Sequence, residues 1–186
     1  MAENTKLSLS VNNKITDKGK TKISGTGNLG FFCNTMEAGA SLTIASYEGD
    51  AGYTVSTENG YAGGLVGEMQ GNATLTITQD LTLEGGVQTT GVTYAAGGLV
   101  GKVDTSEINL TGKVTCKETI AAFGNDTSIG GYIGNAVFKV TESLDFSNLD
   151  VRAALEDGSH AGGLFGVLNY DCTSGGTLAL SNATTV

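Results

Sequence analysis

The sequence predicts an all-β chain wound as a β-solenoid, a parallel β-helix of about five coils of 32–34 residues with Gly-Gly corners. Three observations predict it. A glycine motif returns at nearly constant spacing, a strand-like alternation follows each copy, and the composition combines 29 glycines with no proline and no tryptophan.

The motif comes first. Residues 62–69 read AGGLVGEM, 96–103 AGGLVGKV, 130–137 GGYIGNAV and 161–168 AGGLFGVL. Their second glycines, Gly64, Gly98, Gly131 and Gly163, are 34, 33 and 32 residues apart. A further 34 residues back stands Gly30, which opens GFFCNTM, a degenerate copy. In it Phe31 and Phe32 fill the Leu-Val places and Cys33 replaces the closing glycine. The units run 30–63, 64–97, 98–130 and 131–162 within a single repeat domain, flanked by partial units 1–29 and 163–186. Polar sequence directly after Met1 suits either a cytosolic protein or an excised fragment, and the abrupt ending LALSNATTV favours the fragment of a longer chain.

The strands come next. Downstream of each anchor stand SLTI, TLTI, EINL, SLDF and TLAL, which place Leu42, Leu75, Ile108, Leu144 and Leu178 in one apolar column. Ile44, Ile77, Leu110, Phe146 and Leu180 fill the column two residues on. Period-2 alternation with the apolar side fixed is what a strand with one buried face requires. KLSLSV at 6–11 is the same strand from an earlier unit, since Leu7 precedes Leu42 by 35 residues. The middle units add a second alternation, Leu81 and Leu83, Val114 and Cys116, Leu149 and Val151. A unit of two or three short strands cannot bury its apolar face alone, whereas stacked copies can. Helical repeats would space their apolar residues at i, i+3, i+4 and i+7, and propeller blades are longer. A β-sandwich is the main competitor.

Corners explain the glycines. They are Gly63, Gly64 and Gly67 in one copy, then Gly97, Gly98 and Gly101, Gly130, Gly131 and Gly134, and Gly162, Gly163 and Gly166. In stacked coils each corner lies about 4.8 Å from its copies, where glycine allows positive φ or close backbone approach. A phosphate-cradling loop is a poor reading, because GGLVG has neither the GK[ST] of a P-loop nor a βαβ setting.

Composition narrows the function. A net charge of -9, a pI near 4.4 and a single arginine, Arg152, argue against nucleic acid as a partner. Lys14, Lys18, Lys20 and Lys22 read as a solvated edge. No stretch approaches the roughly 20 apolar residues of a membrane helix, and the start lacks the apolar core of a signal peptide. Cys33, Cys116 and Cys172 fit no metal pair and leave one disulfide open. His160 is the single histidine, so histidine-based catalysis or metal binding has little to use; it reads as a corner side chain. Neither the calcium nonapeptide nor an EF-hand occurs, and Glu48, Asp50, Glu156 and Asp157 read as solvated loop acids. The expectation is therefore no enzyme and no cofactor, with Ca2+ left open but supported by no motif. Asp145 and Asp150, with Glu107, Lys113 and Lys117 one coil away, point to surface ion pairs rather than a polysaccharide-cleaving cluster. The outward column Thr43, Thr76, Asn109, Asp145, Ala179 is too broken for an ice-binding ladder.

Gly64-Leu65-Val66-Gly67, Gly98-Leu99-Val100-Gly101, Gly131-Tyr132-Ile133-Gly134 and Gly163-Leu164-Phe165-Gly166 resemble the GLUG motif, glycine-leucine-apolar-glycine. That repeat occurs in large bacterial surface and secreted proteins, including IgA-peptidase-type and adhesin-like chains. The periodic resemblance spans residues 30–170 or so, departing at Phe31-Phe32-Cys33 and at Tyr132. It implies an extracellular or cell-wall-displayed stalk or adhesive module. Two roles follow: a structural spacer, or a module binding a glycan or host protein through loop tyrosines. The candidate contacts are Tyr47, Tyr53, Tyr61, Tyr94 and Tyr170. End-to-end self-association through open strand edges is a lesser alternative.

Overall fold

The computed structural model describes residues 6–10, 21–46, 53–139, 143–145, 147–171 and 179–181. Every strand pair among them is parallel, and the fold is a β-solenoid with no helix in the described residues. One coil passes through up to five faces. Face I stacks Lys22–Thr26, Tyr53–Glu58, Gly85–Thr90, Thr119–Phe123 and Ala154–Glu156. Face II stacks the short strands Leu29–Gly30, Ala62–Gly63, Ala95–Gly97, Ser128–Gly130 and His160–Gly162. Face III stacks Cys33–Met36, Val66–Met69, Val100–Asp104, Ile133–Lys139 and Phe165–Asp171. Face IV holds Lys6–Ser10, Ser41–Ser46, Thr74–Ile77 and Glu107–Leu110, and face V holds Leu81–Leu83, Val114–Cys116 and Leu149–Val151. Five rungs on faces I to III enclose about four turns rather than five coils, because the partial units add strands without closing a turn.

Stacking places like on like. Leu7, Leu42, Leu75 and Ile108 are successive partners, and so are Leu81, Val114 and Leu149. Leu42, Leu75, Leu81 and Val114 are at most 3% exposed. Fully burying one such side chain contributes roughly 1.5–3 kcal/mol, repeated at each rung. Met36, Met69, Val103, Ala136 and Leu168 form a further inward column on face III. On face I the inward column includes Thr57 and Thr89, whose buried hydroxyls donate to the carbonyls of Gly27 and Gly60 in the following corner. Those bonds let a polar residue occupy a core position.

The repeated motif is the corner between faces II and III. Its backbone stays hydrogen-bonded from coil to coil: Leu65 N–H donates to Leu99 C=O at 2.9 Å, and Leu99 N–H to Tyr132 C=O at 2.8 Å. The chain doubles back so sharply that a Cβ on Gly97 would lie 2.0 Å from the Val100 carbonyl oxygen and 2.5 Å from the Gly134 nitrogen. Close approach, not positive φ, is therefore what the motif needs. Left-handed residues lie instead in two other turns, at Gly27, Asn59, Gly91, Gly124 and Asp157 between faces I and II and at Gly39, Asn72 and Thr105 between faces III and IV. At Gly91 (φ 123°) and Gly124 (φ 141°) a side chain would be strained as well as crowded.

Three sequence expectations need correction. Gly30 pairs with Gly63, not Gly64, so Phe31 stands in the place of Gly64, Phe32 in that of Leu65 and Cys33 in that of Val66. Asn34 takes the closing glycine's place, and its side-chain oxygen accepts from Gly30 N–H at 3.5 Å. Leu144 pairs with Leu180, not Leu178, in a separate two-stranded sheet. Alternation cannot distinguish a two-residue slip, which leaves every side chain on its original face. Complete coils also hold five strands rather than two or three, because a strand as short as Ala62–Gly63 carries no alternation to detect. The Leu178 and Phe146 positions lie outside the described residues.

Candidate functional site

Two polar assemblies stand out, one on the surface of faces II and III and one inside. The surface assembly is built by register. Thr35, Glu68, Lys102 and Asn135 are successive partners pointing outward from face III. Lys102 Nζ lies 3.0 Å from Glu68 Oε1 and 4.9 Å from the centre of the Tyr61 ring. Glu68 Oε2 accepts from Asn28 Nδ2 at 2.8 Å and from Gln70 Nε2 at 3.1 Å. Tyr61 meets Tyr94 edge-to-face with centroids 5.6 Å apart. Burial works against the Lys102 charge, but the Glu68 bond and nearby negative groups outweigh it, and its pKa is raised. The patch ties three coils together and presents two half-buried tyrosines beside an ammonium and a carboxylate.

The interior assembly centres on Glu118, which is fully buried. It directly precedes Thr119, whose face I partner is Gly86, and Gly85 is in turn the partner of Tyr53. Tyr53 therefore reaches past a glycine rung, and its hydroxyl donates to Glu118 Oε1 at 2.8 Å. Glu118 Oε2 has no hydrogen-bond partner. Burial pushes this carboxyl up to about 8, while the Tyr53 hydroxyl and the main-chain amides of Glu118 and Lys117 draw it part of the way back. Cys116 is buried alongside, its thiol pushed up by burial and then by Glu118 and Asp150. Tyr132, the residue that replaces a motif leucine, is likewise buried and shifted upward, first by burial and then by Cys116.

The five tyrosines singled out in the sequence part company. Tyr61 and Tyr94 come together on the surface. Tyr53 is 7% exposed and faces the core, which removes it from any surface set. Tyr170 lies opposite Phe138 on face III, and Tyr47 is outside the described residues. His160 opens the last described face II strand, with Nε2 3.1 Å from Asp126 Oδ1, both side chains exposed. Cys33 and Cys116 are buried and form no disulfide among the described residues, and Cys172 lies outside them. Of the side chains expected to pair on the surface, Lys113 meets Asp150 at 3.5 Å and Lys117 meets Glu84 at 3.2 Å, while Asp150 also takes a bidentate contact from Arg152. Exposed pairs of this kind contribute little to stability. Among the described residues no three His, Cys, Asp or Glu side chains cluster as a metal site would require. Glu118 went unnoticed in the sequence; the signal is its place one residue before a face I strand, in a column that holds Gly85.

No family model, curated protein or solved structure matches the chain. Its fold nevertheless defines its class: a parallel β-solenoid repeat protein.

Proposed function

We propose that the chain is a non-enzymatic structural module of a larger bacterial surface or secreted protein, a stalk that sets a distance. The observation that supports this most is the uninterrupted register of faces I to III over five rungs, with the motif glycines committed to the turn between faces II and III. The motif's chemical peculiarity is thereby accounted for by stacking. Its resemblance to GLUG repeats supports the surface or secreted setting. The second reading, an adhesive module for a glycan or host protein, is favoured by the Tyr61–Tyr94 pair beside Lys102 and Glu68, since an aromatic platform flanked by charges is the chemistry that recognises sugars.

Light scattering over a concentration series, with glycan-array binding on the same sample, tests the proposal. A concentration-independent monomer that binds no glycan is the expected result. Specific glycan binding lost in Tyr61→Ala and Tyr94→Ala would replace the spacer with the adhesive reading. Mass that grows with concentration would point to a self-assembling fibre subunit.

A further inference from the structure

A fully buried carboxyl with one side-chain partner and one orphaned oxygen is an unusual component for a solenoid core, where a leucine or alanine would serve packing better. Its neighbours define what it can do. From the second rung of face I comes Tyr53, from face V comes Cys116, and behind Cys116 stands Tyr132, all buried. Lys117, the adjacent cation, turns outward to Glu84. The surrounding backbone is equally close. A Cβ on Gly64 would lie 2.6 Å from the Tyr53 hydroxyl oxygen and 2.9 Å from Glu118 Oε1, and one on Gly98 would lie 3.3 Å from Oε2. Neither oxygen has a counter-charge facing it among these groups, so the neutral acid fits this site and the carboxylate does not.

We propose that Glu118 is a proton-dependent latch between successive coils of the solenoid: the neutral acid, held by the Tyr53 hydroxyl, packs in the core, and loss of its proton weakens the stack because the buried charge costs more than the strengthened Tyr53 bond returns. Tyr53 and Glu118 belong to rungs two apart on face I, with Gly85 between them, so the latch spans three rungs. Ionisation leaves a desolvated charge against the glycine corners that define the turn. The inference goes beyond the stalk reading and holds whether or not the chain carries a ligand.

The direction of the pH effect follows from proton uptake. In the unfolded chain the acid titrates near its ordinary 4.5, and in the fold near 8. Between those values folding takes up one proton, so stability falls as pH rises; above 8 both states are ionised and the slope vanishes. One proton corresponds to about a tenfold rise in the unfolding constant per pH unit. The chain has one histidine, His160, which is exposed and lies 3.1 Å from an exposed Asp126, away from the Glu118 site.

Chemical denaturation of the 186-residue chain at pH 5 to 9 tests the latch. The native protein should lose stability steadily up to about pH 8, whereas Glu118→Gln, neutral at every pH and still able to accept from Tyr53, should be flat across that range. Tyr53→Phe preserves shape and removes the hydrogen bond that favours ionisation, so its decline should extend to higher pH than in the native chain. An unchanged slope in Glu118→Gln overturns the proposal. So does a Tyr53→Phe profile that coincides with the native one, a result that decides the matter even if the glutamine variant does not fold.

Discussion

Gly97→Ala is expected to destabilise the chain by about 3 kcal/mol or more, beyond the usual range for a single added methyl. The new Cβ would meet backbone on two sides, the Val100 carbonyl within its own coil and the Gly134 nitrogen of the next. Backbone held in a hydrogen-bonded stack cannot step aside as a flexible side chain could. Gly86→Ala is the matched control. Gly86 sits on face I, where the nearest atom to an added Cβ is Thr54 Cγ2 at 3.8 Å, an ordinary contact. There the substitution should be neutral or stabilise by up to about 1 kcal/mol, through reduced freedom of the unfolded chain. Denaturant midpoints measured on both variants check the pair, and similar losses in the two would remove close approach as the reason for the motif.

The leucine of the motif carries the second large effect. Leu99 is fully buried between Leu65 and Tyr132, and the backbone bonds of all three run through the same turn. Truncation to alanine should cost about 2–5 kcal/mol, the range for a core leucine whose surroundings only partly collapse. Leu164 holds the same motif position in the last described corner but is only half-buried, so Leu164→Ala should cost distinctly less. Equal losses at the two positions would mean that burial by neighbouring coils is not what the leucine contributes.

Much of the architecture was legible because stacking copies one rung onto the next. Leu7 meets Leu42, Leu42 meets Leu75, and Leu81 meets Val114, as the columns of the sequence require. Legibility failed where the copies lose contrast. Phe31 and Phe32 look like a Leu-Val pair, so the first motif was placed one residue away from its true register, which Gly30 and Gly63 fix. Face I was obscured because Gly25, Thr57 and Thr89 interrupt its apolar alternation, and the two hydroxyls find partners only in folded corners. The surface site was half visible. Tyr61 and Tyr94 are 33 residues apart and meet on adjacent coils, but the Glu68–Lys102–Asn28 network beside them depends on face III register. Glu118 was hidden for a simpler reason: charged residues are expected outside, and only coil-to-coil alignment places this one in the core.

The parallel solenoid itself is tested most directly by distances along one face. Ser24, Ser56, Gln88, Ala121 and Glu156 are successive partners on face I. Spin labels at position 24 paired in turn with positions 88, 121 and 156, with native cysteines replaced, place the two sites two, three and four rungs apart. At about 4.8 Å per rung the backbone separations are about 10, 14 and 19 Å. Pulsed electron paramagnetic resonance should therefore show distances that lengthen in equal steps. Distances without that order, or a pair 24/156 shorter than 24/88, would contradict the stacked-coil fold and return the β-sandwich as the better account.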